Sequence, residues 1–274
     1  MNDNFFIVGG DLRNLYLAQE LSKDGKNVKI MGFNKLNDQI FVNNKIKKVY
    51  SINEKEKNDL IISSIPLTMD NKTIYTPYNN EKITLNTLKG LEFIAGKIPS
   101  FLNGKDILKD EDYTIKNIIP TVEGAISKAI EETNETIFES NILVLGYGRI
   151  GKLLCNRLKS LGANVFCEAR KSQDLTWIRT YGYIPIYIED LEKYISKMDV
   201  IFNTIPSIIL NEKLLKYVKK DSIIIDLASK PGGVDFENAK ERNIKAISYS
   251  GIPGKISPRS TAKYIKEYLY SKKQ

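Results

Sequence analysis

The chain has 274 residues, 42% of them hydrophobic and 27% charged, a composition that fits one large or two modest globular domains with their own cores. It contains no histidine, which excludes Ser-His-Asp and Cys-His nucleophile systems, His-ligated zinc and the His–carboxylate pair of many hydroxy-acid dehydrogenases. The +8 net charge is scattered, with short clusters at 45–48 and 272–273, so neither nucleic acid nor a membrane is the expected partner.

The two cysteines, Cys155 and Cys167, are too few for an all-thiolate zinc site and read as buried thiols of a reducing compartment. No metal site is expected. No apolar run reaches the ~18 residues of a membrane span. The start, Met1-Asn2-Asp3-Asn4, lacks the basic region of a secretory signal. The expectation is a cytoplasmic protein.

In chain order, residues 4–28 (NFFIVGGDLRNLYLAQELSKDGKNV) give an apolar strand, a glycine turn, an amphipathic helix, a glycine cap and a second strand. That is a β-α-β opening. Further strands are predicted near Val49–Tyr50, Leu60–Ser63 and Leu91–Ala95, with weaker signals to Ile119. Thr121 reads as the cap of a connecting helix whose apolar face is Val122, Ile126, Ala129 and Ile130.

Residues 141–165 (NILVLGYGRIGKLLCNRLKSLGANV) repeat the first unit at an offset of 137, with Asn4/Asn141, Gly9/Gly146, Leu17/Leu154, Leu21/Leu158, Gly25/Gly162, Asn27/Asn164 and Val28/Val165 identical. Strands follow at Ile184–Ile188, Val200–Asn203, Ser222–Asp226 and Lys245–Ser248, separated by helical patterns such as Leu191–Lys197 and Glu212–Val218. Alternating β and α predicts parallel, doubly wound sheets. A last helix spans Thr261–Ser271.

Only the second copy carries the complete G-x-G-x-x-G, as Gly146, Gly148 and Gly151; in the first copy Asp11 and Asn14 replace the later glycines. The backbone of Arg149 and Ile150, at a helix start, would then meet a pyrophosphate. The fold class is therefore α/β: a C-terminal NAD(P)-binding Rossmann domain and an N-terminal Rossmann- or flavodoxin-like α/β domain. The expected boundaries are 1–120 for a substrate domain, 121–140 for the connecting helix and 141–258 for the Rossmann domain, with a helix at 259–274 packing back on the first domain.

Cofactor choice is set where the strand after the glycine helix ends. Alternation gives the usual acidic position to Ala169, and Arg170, Lys171 and Ser172 follow, which suits the 2′-phosphate of NADP. A one-residue shift of register would bring Glu168 there and favour NAD. Asn203-Thr204-Ile205-Pro206 and Asp226-Leu227-Ala228-Ser229 end later strands at the cofactor crevice, although turn-forming roles are open to both. Arg13, at a helix start, suits an anionic substrate.

Taken together, Gly9-Gly10-Asp11-x-Arg13, Ile119-Pro120-Thr121-Val122-Glu123-Gly124, the Leu145–Gly151 loop, Asn203-Thr204-Ile205-Pro206-Ser207, Asp226-Leu227-Ala228-Ser229-x-Pro231-Gly232-Gly233 and Gly251-x-Pro253-Gly254 resemble the dipicolinate synthase A-subunit family over nearly the whole chain. Lys230, Val234, Lys255 and Arg259 depart from its commoner residues. The resemblance implies oxidation of dihydrodipicolinate, or its hydrated precursor, to dipicolinate with NAD(P) in the mother cell of a sporulating bacterium, on a branch of the diaminopimelate and lysine pathway. It also implies a smaller, flavoprotein-like B-subunit as partner, and an oligomer is expected. In that frame Lys230 or Glu123 is the base, and Arg13, Thr121, Lys230, Arg259, Ser260 and Thr261 are candidates to hold the two carboxylates. The rivals are another NADP-linked dehydrogenase of a small carboxylic or amino acid, and a non-catalytic dinucleotide-binding protein.

Overall fold

The computed structural model describes residues 2–271. They form two compact units: one runs through Asn117 and resumes at Pro253, and the other is Ile118–Ile252. In chain order the first unit contains β1 (Asn4–Val8), α1 (Leu12–Lys23), β2 (Asn27–Met31), α2 (Gln39–Asn43), β3 (Lys47–Lys48), β4 (Leu60–Ser63), β5 (Phe93–Ala95) and β6 (Lys105–Asp106). Helix α3 (Glu111–Glu132) carries the chain into the second unit. There follow β7 (Asn141–Leu145), α4 (Arg149–Ser160), β8 (Asn164–Glu168), α5 (Ser172–Thr180), β9 (Ile184–Ile186), α6 (Leu191–Tyr194), β10 (Val200–Asn203), α7 (Glu212–Leu215), β11 (Ile223–Asp226), α8 (Phe236–Glu241) and β12 (Lys245–Ser248). Two helices close the chain, α9 (Ile252–Ile256) and α10 (Pro258–Ser271).

Among the described residues each unit has one wholly parallel sheet, in the orders β3-β2-β1-β4-β5-β6 and β9-β8-β7-β10-β11-β12. These are the same doubly wound order, with the switch point between β1 and β4 and between β7 and β10. The central strands are apolar on both faces because helices cover both faces. Phe5, Phe6, Ile7 and Val8 are all buried, as are Ile142, Leu143, Val144 and Leu145. In both β-α-β openings the helix ends the same way. The Lys26 N–H closes on the Leu21 carbonyl at 3.1 Å after Gly25, and the Ala163 N–H on Leu158 at 3.1 Å after Gly162, the six-to-one closure of a glycine-terminated helix.

Helix α3 departs from expectation in two ways. Thr121 is not its cap: α3 begins ten residues earlier at Glu111, where the Asp110 carboxylate accepts the Tyr113 N–H at 2.9 Å. Pro120 stands inside the helix. Nor are residues 121–140 a separate connector, because Val122, Ala125, Ile126 and Ala129 enter the same core as β7, β8 and α4. Ile130, placed on the apolar face by the sequence pattern, is 56% exposed.

At the end of the chain, α10 packs on the first unit. Ala262, Ile265, Tyr268 and Leu269 join the core of Leu15, Ala18 and Leu21, and Lys266 pairs with Asp24 at 3.1 Å. Residues 272–274, part of the expected last helix and of the lysine tail, lie outside the described residues. No helix among the described residues is long and apolar enough to cross a membrane.

Candidate dinucleotide site

The second unit's glycine loop leaves β7 at its carboxyl end, at the switch point. Gly146 has φ +93°, a backbone that L side chains rarely adopt, and a Cβ there would lie 2.7 Å from Thr204 Oγ1. A Cβ on Gly151 would fall 2.0 Å from the Gly146 carbonyl oxygen, so only glycine lets α4 start this close to the strand. Gly148 differs from both: a Cβ there would meet nothing within 4 Å. It is also the N-cap of α4 and supplies no side-chain hydrogen bond to the helix. The loop is thus tight at Gly146 and Gly151 and open at Gly148, beside a helix start that no side chain caps. That is the geometry a pyrophosphate requires, with the helix dipole adding attraction, and the residues present fit a dinucleotide.

The first unit turns the same motif inward. Asp11 stands where Gly148 stands, and its carboxylate caps α1 by accepting the Arg13 N–H at 3.0 Å. Arg13 returns a bidentate pair to Asp11, with Nε to Oδ1 at 2.9 Å and Nη2 to Oδ2 at 2.8 Å, and also donates to the Ile65 carbonyl. The Gly10 N–H is taken by the Tyr75 carbonyl at 2.8 Å, and Asn14, in place of Gly151, donates to the Ser63 carbonyl at 3.2 Å. The protein's own groups therefore take up the Gly10 and Arg13 N–H groups of this turn. Arg13 is buried and ion-paired rather than free at a helix start.

Around the second loop, Thr204 locks onto β7. Its N–H and its hydroxyl both donate to the Leu145 carbonyl, at 3.0 and 2.9 Å. Asn203 and Asp226, both buried, form one network. Asn203 Nδ2 donates to Asp226 Oδ1 at 2.8 Å and to the Ile205 carbonyl at 2.9 Å. Asp226 also accepts the N–H groups of Ala228 at 3.1 Å and Gly233 at 3.0 Å. These two side chains bind the Asn203–Pro206 loop and the Ala228–Gly233 loop to each other. Pro206, Ser229 and Lys230 are exposed on those loops, and Ala228 and Ile205 are half-buried.

At the ribose end, Val165, Cys167 and Ala169 share the core beneath α4, whereas Phe166 packs on the opposite face. The register therefore puts Ala169 in the position an acidic residue would take, and Glu168 turns away from it. Arg170, Lys171 and Ser172 are exposed, and Lys171 is the N-cap of α5 without a side-chain hydrogen bond to the helix. Cys155 and Cys167 are buried free thiols. The neighbouring Cys155 thiol and burial push the Cys167 thiol upward, away from reactivity.

The remaining predicted residues are dispersed. Glu123 is exposed and lines a surface groove with Ile126, Ser127, Arg157 and Leu161, beside the C-terminal half of α4 rather than the glycine loop at its start. Thr121 is buried within α3. Arg259 lies 4.9 Å from the centre of the Tyr16 ring, and Ser260 is exposed. The Thr261 hydroxyl donates to the Ser257 carbonyl, just before α10, at 3.0 Å, so its proton is already used within the protein. Two features were not read from the sequence: the Ile74–Tyr75 segment lying across the first glycine turn, and the complete burial of Glu168.

Comparison with known proteins agrees with this geometry. Residues 4–104 match the N-terminal domain of the dipicolinate synthase A-subunit, and residues 120–234 match the NAD binding domain of D-isomer specific 2-hydroxyacid dehydrogenases. The cofactor class is therefore a nicotinamide dinucleotide. The dipicolinate synthase A-subunit of Bacillus subtilis (strain 168) is 31% identical over 96% of this chain and 93% of its own length. The crystal structure of the Bacillus halodurans A-subunit matches with a TM-score of 0.86 at 30% identity, covering 99% of this chain and 97% of that one. The Bacillus subtilis A-subunit structure matches with a TM-score of 0.85 at 30% identity, covering 99% and 95%. At 31% identity over 96% of its length to a curated member, the chain belongs to the dipicolinate synthase A-subunit family.

Proposed function

We propose that the chain oxidises dihydrodipicolinate, or its hydrated precursor, to dipicolinate in a sporulating cell, and that it works with a B-subunit, as the A-subunit names of its relatives imply. The observation that carries this reading is the open Gly148 position at the uncapped start of α4. A nicotinamide held by the Gly146–Gly151 loop would supply the hydride acceptor; dihydrodipicolinate gives up that hydride and one proton as its ring becomes aromatic, and the hydrated precursor must lose one water as well.

The chain's own residues divide the rest of the work. The backbone of Gly148, Arg149, Ile150 and Gly151 holds the pyrophosphate. The Asn203–Asp226 network keeps the loops Asn203–Pro206 and Asp226–Ser229 in fixed positions at the strand ends. Lys230, exposed just past the second of these segments, is the proposed acceptor of the proton; Glu123 faces a different surface. Arg259 and Ser260 are the proposed carboxylate contacts, because Arg13 and Thr261 already have partners within the protein. NADP is the proposed cofactor: Ala169 leaves no acid at the ribose, and Arg170, Lys171 and Ser172 stand exposed at the start of α5.

The test is to follow NADPH formation by absorbance on freshly made dihydrodipicolinate synthase product, with and without the B-subunit. Turnover in either arm supports the reading, and turnover only with the B-subunit places part of the active site on the partner. If dinucleotide binds and neither arm turns over, the chain is a non-catalytic dinucleotide-binding protein.

A further inference from the structure

Glu168 takes no part in the proposed reaction. It ends β8, opposite Leu145 in the ladder, and is completely buried. Neither of its carboxyl oxygens has a hydrogen-bond partner. The Gly146 N–H nearby donates to the main-chain carbonyl of Glu168 at 3.2 Å. The groups that act on the carboxyl are this Gly146 amide from the β7–α4 loop, Arg170 just past its own strand, and Glu189 in the turn after β9. Burial raises its ionisation; the Gly146 amide and Arg170 oppose that rise and Glu189 adds to it. A buried neutral carboxyl without partners is tolerable, whereas a buried charge without partners is far costlier. Two residues further on begins the basic turn proposed to take the 2′-phosphate.

We propose that Glu168 is a specificity-determining residue that grades the preference between phosphorylated and plain adenosine ribose through its own charge. Neutral, it leaves Arg170 free for the 2′-phosphate. Ionised, it repels that dianion and draws Arg170 back toward itself, two effects of the same sign. The proposal is separate from the ordinary acidic position on this strand, which Ala169 occupies. It rests on the reading of Arg170–Ser172 as the ribose-end site.

The experiment titrates the whole protein calorimetrically with 2′,5′-ADP and with 5′-AMP from about pH 5.5 to about pH 9, as wild type, Glu168→Gln and Glu168→Leu. The readout is the affinity ratio of the two ligands in each variant divided by the same ratio in wild type, which cancels the phosphate's own ionisation. The expected result is a quotient that rises with pH to about tenfold at the alkaline end, the scale of two unit charges about 12 Å apart at an effective dielectric of about 20. Gln and Leu should behave alike, because charge rather than shape is the agent. A quotient that is the same at every pH, or a Leu variant that departs from Gln as far as wild type does, overturns the proposal. If no variant prefers 2′,5′-ADP at any pH, the ribose-end reading itself falls and takes this inference with it.

Discussion

At the residue scale the two glycines of one loop make opposite predictions. Gly148→Ala adds a methyl group where nothing lies within 4 Å, so its thermal midpoint should match wild type while dinucleotide affinity falls by about tenfold or more, since the added group sits where the pyrophosphate approaches. Gly151→Ala drives a methyl group into the Gly146 carbonyl and should cost at least ~2 kcal/mol of stability in urea unfolding. Equal midpoints for the two variants would contradict this reading of the loop. Asp226→Asn tests the loop network: one accepting oxygen becomes a donor facing main-chain N–H groups, at a cost of roughly 1–3 kcal/mol, measurable in the same unfolding series. For Glu168 the folded protein holds its proton to higher pH than the unfolded chain does. The stability it contributes is complete below the ordinary carboxyl value of 4.5 and is lost as pH rises through the folded value. Wild type should therefore lose thermal stability relative to Glu168→Gln across that rise, and parallel midpoint–pH curves would refute the assignment of a raised ionisation.

At the scale of elements, α1 and α4 show how one local pattern yields two outcomes. Both were legible in the sequence as strand, glycine turn, helix and glycine cap, and the missing glycines at Asp11 and Asn14 marked the first copy as the one without the dinucleotide fingerprint, although Arg13 was expected to hold an anionic substrate there. What fills the first turn was not legible, because the Tyr75 carbonyl reaches Gly10 from 65 residues away and no local signal announces such a contact. The start of α3 was hidden for a different reason. A proline inside a helix removes one N–H and usually marks a boundary, so the reading began at Thr121, whereas the packing of Val122, Ala125 and Ala129 carries the helix through Pro120. The contrast between the two turns predicts a stoichiometry. Asp11→Gly restores the fingerprint residue, yet the Tyr75 carbonyl and Asn14 still occupy the turn, so calorimetry should count one dinucleotide per chain in both wild type and the variant. A second binding event in Asp11→Gly would show that the carboxylate alone closed that turn.

For the whole molecule, sequence order and unit membership part company. The chain leaves its first sheet through α3, completes a second sheet and then returns at Pro253 to finish the first unit. The helical pattern of the last residues and their return to the first domain were expected from the sequence, but the residues that make the contact, Ala262, Ile265, Tyr268 and Leu269 with α1, came only from the tertiary packing. At ~2 kcal/mol for each large apolar side chain, that helix contributes on the order of 5–8 kcal/mol, comparable with the entire stability of a typical domain. A chain ending at Ile252 should therefore lose the first unit's folding transition, while the second unit, which has its own sheet and two cores, still unfolds cooperatively and still binds 2′,5′-ADP. Scanning calorimetry of the truncated and intact chains separates the outcomes. If the truncated chain keeps both transitions, the returning helix is an accessory to the first unit. If it keeps neither, the second unit does not fold independently of the first.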